Sequence, residues 1–197
     1  MKKQQVQSVS RELVVGVAAL LLGVGGATWW FTQNPEIDQP TPPGIQQPRP
    51  TVNVQPQAYW LQGEGTLVPQ KIAIQSGATP ELALKEAFRQ LLDRPRDAKL
   101  NTAIPAGTRL LSLKVTEQGI YVDLSKEFAQ GGGSTIMTHR VAQAIYTATS
   151  LNPEAKVYLS VEGQALDEEH PLGGEGLIIS QPTTRQKFTE DFPGSPV

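Results

Sequence analysis

The sequence predicts an α+β domain: a small mixed β-sheet with two helices packed on one face, in the order strand-helix-hairpin-helix-strand, preceded by one transmembrane helix and a Pro-rich linker. Three observations carry this. Between Ile104 and Phe128, two runs of alternating apolar and polar residues flank a Gly-containing turn. Residues 79–92 and 134–148 each repeat apolar side chains at helical spacing. Leu13 to Phe31 is uncharged and mostly apolar.

The apolar stretch comes first in the chain. Its roughly 19 residues make about 28 Å of helix, against a hydrocarbon core about 30 Å thick. Lys2, Lys3 and Arg11 precede it, offset by Glu12, and the first charges beyond it are Glu36 and Asp38. The positive-inside bias therefore leaves residues 1–12 in the cytoplasm and places everything after Phe31 outside. Trp29 and Trp30 stand where an interfacial aromatic belt would lie. The expectation is an uncleaved signal anchor, residues 13–31. The alternative is a cleaved signal peptide with Gly25 and Ala27 before the cut. Ala19, Gly23 and Ala27 recur at four-residue spacing, which can let membrane helices approach, but small residues are common in such helices.

Residues 32–57 contain Pro35, Pro40, Pro42, Pro43, Pro48, Pro50 and Pro56 with almost no aliphatic clustering. Proline removes the backbone donor and favours an extended chain, so this stretch reads as a linker. Stiff, it would reach about 75 Å at about 3.1 Å per residue. Pro40 and Pro43 have PxxP spacing, although a spacer role accounts for them. The folded domain is expected over 58–181, and 182–197, without periodicity, as a disordered tail.

Within the domain, Ala58–Leu61 and Thr66–Gln75 read as strands around the turn Gly63-Glu64-Gly65. Thr79 can cap a helix that has Pro80 at its first position and Glu81 at the positive end of the dipole. Leu84, Phe88, Leu91 and Leu92 form its core stripe, and Pro95 stops it. Leu111, Leu113 and Val115 alternate inward, Gly119 closes the turn, and Ile120, Val122 and Leu124 alternate again. Ser134 reads as the cap of the second helix, with Met137, Val141, Ile145 and Ala148 inward and His139, Gln143 and Tyr146 on the opposite, exposed face. Asn152-Pro153 ends that helix. Lys156–Glu162 is a last clear strand, and Leu177–Ile179 a short additional one.

The stretch Ile104-Pro105-Ala106-Gly107-Thr108, followed by the hairpin and the exit Val122-Asp123-Leu124-Ser125 with Phe128, resembles the GerMN domain family. The likeness extends over most of Tyr59–Gly163. It includes Leu91-Leu92 with Pro95, Ala144, Tyr146 and Thr147, and the strand Val157–Gly163. The family usually has Gly before that proline where this chain has Asp93-Arg94, which puts the following loop in question but not the fold. The resemblance implies a single copy of a module that, by analogy with ring-building domains, serves cell-envelope assemblies. It brings no catalytic residues.

Composition narrows the chemistry. Net charge is −2 over 197 residues, 39% of them hydrophobic, so no basic footprint for nucleic acid is present. There is no cysteine, which excludes disulfides, thiolate metal sites and Cys nucleophiles. Gly131-Gly132-Gly133-Ser134-Thr135 before a helix could cradle an anion. It lacks the Lys of a nucleotide loop, and a flexible helix entry explains it as well. His139 and His170 read as solvated surface residues. Glu168, Glu169 and His170 have no fixed ligand spacing. Asp123, Ser125 and Tyr121 share an outward strand face, with no second acid that the sequence can place beside them.

The expectation is therefore a membrane-anchored extracytoplasmic interaction module without catalytic, cofactor or metal residues, held in the inner (plasma) membrane by one span. Its partners would be the bacterial membrane together with itself or other envelope proteins. A peptidoglycan- or glycan-binding module is the alternative, with Tyr59, Trp60 and Tyr121 as the stacking residues. An envelope hydrolase ranks third.

Overall fold

A computed structural model describes residues 54–173 and 176–195. The expected anchor Leu13–Phe31 and nearly all of the linker lie outside the described residues. Among the described residues, no helix is long and apolar enough to cross a membrane.

The chain runs β1 (Gln57–Gln62), β2 (Thr66–Lys71), α1 (Pro80–Leu92), β3 (Leu100–Asn101), β4 (Leu110–Val115), β5 (Ile120–Leu124), a 3-10 turn (Lys126–Ala129), α2 (Ser134–Ala148), β6 (Val157–Val161), β7 (Gln164–Ala165) and α3 (Arg185–Asp191). The α+β class holds, but there are two sheets where one was expected: β2-β1-β3 and β4-β5-β6-β7. The second is mixed, because β5 and β6 run parallel while the other pairs are antiparallel. The first sheet stands apart because β1 is buried along both faces. Ala58, Tyr59, Trp60 and Leu61 are all 9% exposed or less, so β1 belongs in the interior against α1 and α2 and not at the edge of the hairpin sheet.

Helix α1 forms as its sequence implies. The Thr79 hydroxyl oxygen accepts from the Leu82 N–H at 3.3 Å, Pro80 is the first helical residue, and Leu84, Phe88 and Leu91 are buried. It packs against both β1 and β4, so one set of apolar side chains joins the two sheets. Each fully buried Leu or Phe contributes about 1.5–3 kcal/mol relative to exposure. Leu92, expected in the core, is only half-buried at the last turn.

Four local expectations are corrected. The alternation of β4 is broken by a bulge between Leu110 and Ser112, which turns Leu111 out to 44% exposure while Leu113 stays buried. A bulge places two residues opposite one and shifts the phase of the pleat, which a simple count of alternate positions cannot register. Strand β2 stops at Lys71, short of Gln75, and the short strand expected at 177–179 is a single bridge, Leu172 to Leu177. The cap of α2 is Gly133, with Ser134 already helical.

The expected tail is the largest correction among the described residues. Thr183 exchanges two backbone hydrogen bonds with Val157, at 2.8 and 2.9 Å. Thr184 then caps α3 by accepting from Lys187 N–H at 3.1 Å, and Phe188 is fully buried. A seven-residue helix is too short to show a convincing period, so the pairing of Phe188 with Phe192 at i, i+4 (ring centroids 5.0 Å apart) was the available signal.

The β1–β2 turn is fitted to α2. A Cβ at Gly65 would lie 2.4 Å from His139 Cε1, and Gly65 has φ +124. Gly65→Ala is expected to destabilise the domain by about 1–3 kcal/mol from backbone strain alone, with the clash in addition. In denaturant unfolding, adding His139→Ala should recover only the clash. An unchanged midpoint for Gly65→Ala would contradict this packing.

Candidate functional site

The second sheet has one sealed edge and one open edge. On the sealed side, β6 is covered by β7 at Ser160 and Val161 and by Thr183 at Val157. Between them Gln181 takes the place of a missing strand. Its side-chain oxygen accepts from Leu159 N–H at 3.1 Å and its side-chain nitrogen donates to Leu159 O. The other edge is β4, six residues long, with no strand beyond it among the described residues. The bond from Thr116 N–H to Gly119 O sets the antiparallel phase, so Leu113 and Val115 turn their backbone groups away from β5. Glu81 at the start of α1 accepts the Val115 N–H, and this bond, after the larger effect of its hydrogen bond to Lys85, helps hold its carboxyl below the ordinary range. The edge left open is thus the middle of β4, from the bulge at Leu111 to Leu113.

The outer face of this sheet carries Tyr121 and Asp123, whereas Ser125, expected beside them, lies past the end of β5 and is buried. Tyr121 and Tyr158 are cross-strand neighbours whose rings stack at 4.4 Å with 3° between planes. The stack occupies one face of each ring. Asp123 Oδ1 accepts from Ser160 Oγ at 2.7 Å and from Gly163 N–H at 2.9 Å, fixing the β6–β7 turn. Ser125 is fully buried. Its hydroxyl donates to Glu127, which holds that carboxyl below its ordinary pKa, and accepts from Arg109 N–H at 2.9 Å. No histidine joins these groups.

Gln143, expected on the exposed face, is fully buried, and His139 and Tyr146 are half-buried. Gln143 donates to Tyr59 O at 2.9 Å and accepts from Ala103 N–H at 2.8 Å, and Thr147 Oγ1 accepts from Tyr59 N–H at 3.1 Å. The polar stripe of α2 thus serves β1 and the strand-like segment after β3. Burial holds His139 below its usual pKa. His170 packs with Asp167, whose carboxyl is lowered by accepting the His170 and Glu169 N–H groups. Among the described residues, no group of three or more His, Asp or Glu could hold a metal ion.

Two arginines went unnoticed in the sequence. Arg140, 2% exposed, donates to Phe128 O at 2.6 Å, Gly131 O at 3.0 Å and Ala103 O at 3.1 Å, and burial lowers its pKa. Arg185 donates to Tyr146 O and Thr149 Oγ1 at the C-terminal end of α2 and lies 4.5 Å from the Tyr146 ring centroid. A cation suits that negative helix end. The usable signal was an Arg in an otherwise apolar helix face.

The family profile described as Germane: Sporulation and spore germination matches residues 57–167. The chain belongs to that family. Among solved structures, the first GerMN domain of the sporulation protein GerM from Bacillus subtilis aligns at TM-score 0.54 with 23% identity, covering 68% of this chain and 98% of that one. The tandem GerMN domains of the same protein align at TM-score 0.51 with 23% identity, over 68% of this chain and 46% of that one. No curated protein matches the chain. The likeness is one of fold, and the GerMN-like arrangement of two sheets and helices agrees with it. In this chain the GerMN-like domain is carried past the matched residues by the strap from Gln181 to Ser195.

Proposed function

We propose that this GerMN-like chain is a membrane-tethered, extracytoplasmic interaction module that acts by surface contact without catalysis, as a scaffold or assembly component of the bacterial cell envelope. The observation that supports it best is the unequal treatment of the two edges of the second sheet. Three separate devices close β6, while the middle of β4 offers free backbone groups beside exposed Leu111. Such an edge accepts an added strand through main-chain hydrogen bonds. The glycan-binding reading loses two of its three aromatic supports: Trp60 is 3% and Tyr59 9% exposed, and one face of the Tyr121 ring is taken by Tyr158. The tether at Leu13–Phe31 raises the effective concentration of a weak contact.

Because the chain has no cysteine, one introduced thiol reports on one position. Leu111→Cys and Gln164→Cys, on the open and sealed edges, are treated in intact cells with a membrane-impermeant thiol-reactive crosslinker that passes the outer wall layers. Both positions should react, and only Leu111→Cys should yield a discrete crosslinked species. Reaction solely after the membrane is opened would refute the extracytoplasmic placement. Equal capture from both positions would refute the β4 edge as the contact.

A further inference from the structure

The free stretch of β4 is bracketed by positive charge. Arg109 stands just before the strand and Lys114 near its end, both exposed, with exposed Leu111 between them. The carboxylates around them are already engaged. Glu127 accepts the Ser125 hydroxyl and lies 3.8 Å from Arg109. Glu81, which feels the Lys114 charge, is bonded to Lys85 at 2.6 Å. Asp123, opposite Ser112 on β5, is bonded to Ser160 and Gly163 on the side away from β4. Among the described residues, Lys114 makes no ion pair.

The other outer strand of equal length is β2, and its ladder is broken. The Tyr59 N–H and C=O are both taken by α2, so the Tyr59 backbone groups point away from β2. Its register partner Pro69 therefore faces outward too, where proline has no N–H to offer an added strand. Strand β4 has no proline. A second copy of this chain is a poor occupant for it. Paired antiparallel about their middles, two β4 strands set the Arg109 end of each against the Lys114 end of the other. Paired parallel, they set Arg against Arg and Lys against Lys. Like charges facing across a strand pair destabilise it.

We infer, on the reading of β4 as the contact edge, that it receives an extended acidic segment of another protein. That segment has an apolar centre to cover Leu111 and a carboxylate side chain at each end for Arg109 and Lys114. At about 3.3 Å per residue the two charges stand about 16 Å apart along the strand, so the carboxylates fall about five positions apart. Main-chain hydrogen bonds at Leu113 supply affinity. The flanking charges supply specificity, because a basic segment or a second β4 meets repulsion.

The test uses the full-length protein in detergent and follows amide exchange at Leu113 by NMR while probe peptides are titrated. One peptide alternates Val and Thr and carries Glu at two sites about five positions apart. A second has Lys in place of Glu, and a third keeps Glu but has Pro at its central positions. The Glu peptide should slow Leu113 exchange saturably, the Lys peptide should need a several-fold higher concentration, and the Pro peptide should have no effect. Lys114→Glu, at an exposed residue without an ion pair, should reverse the order of the Glu and Lys peptides. Equal protection by the Glu and Lys peptides, or a Lys114→Glu variant that keeps the wild-type order, would overturn the acidic partner while leaving β4 as the contact. Protection by no peptide would overturn the edge itself. Crosslinking of Leu111→Cys in cells to a second copy alone would overturn the acidic partner in favour of self-association.

Discussion

Truncation after Gln181 should cost the domain most of its stability, although the matched family region ends at residue 167. The cut removes Phe188, which is fully buried, the two Thr183–Val157 hydrogen bonds, and Arg185 from the end of α2. Losing a buried Phe side chain alone costs about 3–5 kcal/mol, a large share of a typical domain stability of about 5–15 kcal/mol. The comparison is denaturant unfolding of the full chain and the chain ending at Gln181, followed by circular dichroism. Phe188→Ala should reproduce the greater part of the loss. If the truncated chain unfolds at the same midpoint, the strap is an ornament on an already complete fold, and the boundary at 181 read from sequence was right.

The second large effect is expected at Arg140. Replacing it with Met keeps the volume roughly but leaves the carbonyls of Ala103, Phe128 and Gly131 without their donor. Unsatisfied buried acceptors cost about 1–3 kcal/mol each before relaxation, so a net loss of roughly 2–4 kcal/mol is expected. Arg140→Lys should not restore it, because one ammonium cannot reproduce a fork aimed at three separate acceptors. The burial of Arg140 itself opposes folding, which lets the experiment decide which effect is larger. An Arg140→Met variant as stable as wild type would show that desolvation cancels the three bonds, as happens for some buried ion pairs.

The parts that could be read from sequence were those whose signals are local. The Thr79 cap, the Leu84–Phe88–Leu91 stripe and the Gly119 hairpin are each decided within a few residues, and they stand as expected. Gln143 was misplaced because its partners, Tyr59 and Ala103, are brought to it by the fold, and a glutamine in a helix carries no mark of whether water or a strand satisfies it. Leu111 was misplaced by a bulge that adds one residue to a regular pattern. The separation into two sheets had no local signature, since a strand's partner is chosen by burial on both faces of β1. For the candidate edge, composition could name the strand but not show that β6 was closed by the Gln181 amide.

The polar ties of β1 also bear on when the chain can become ordered. Tyr59 is satisfied by Gln143 and Thr147, which follow it by 84 and 88 residues. Because a chain is made from its N-terminus, β1 is delivered well before the helix that completes it. Closing so long a loop costs entropy before any contact rewards it, and such non-local topology slows folding. The earliest strand of the module can pair at once with its hairpin partner β2, but its remaining polar ties wait until α2 exists.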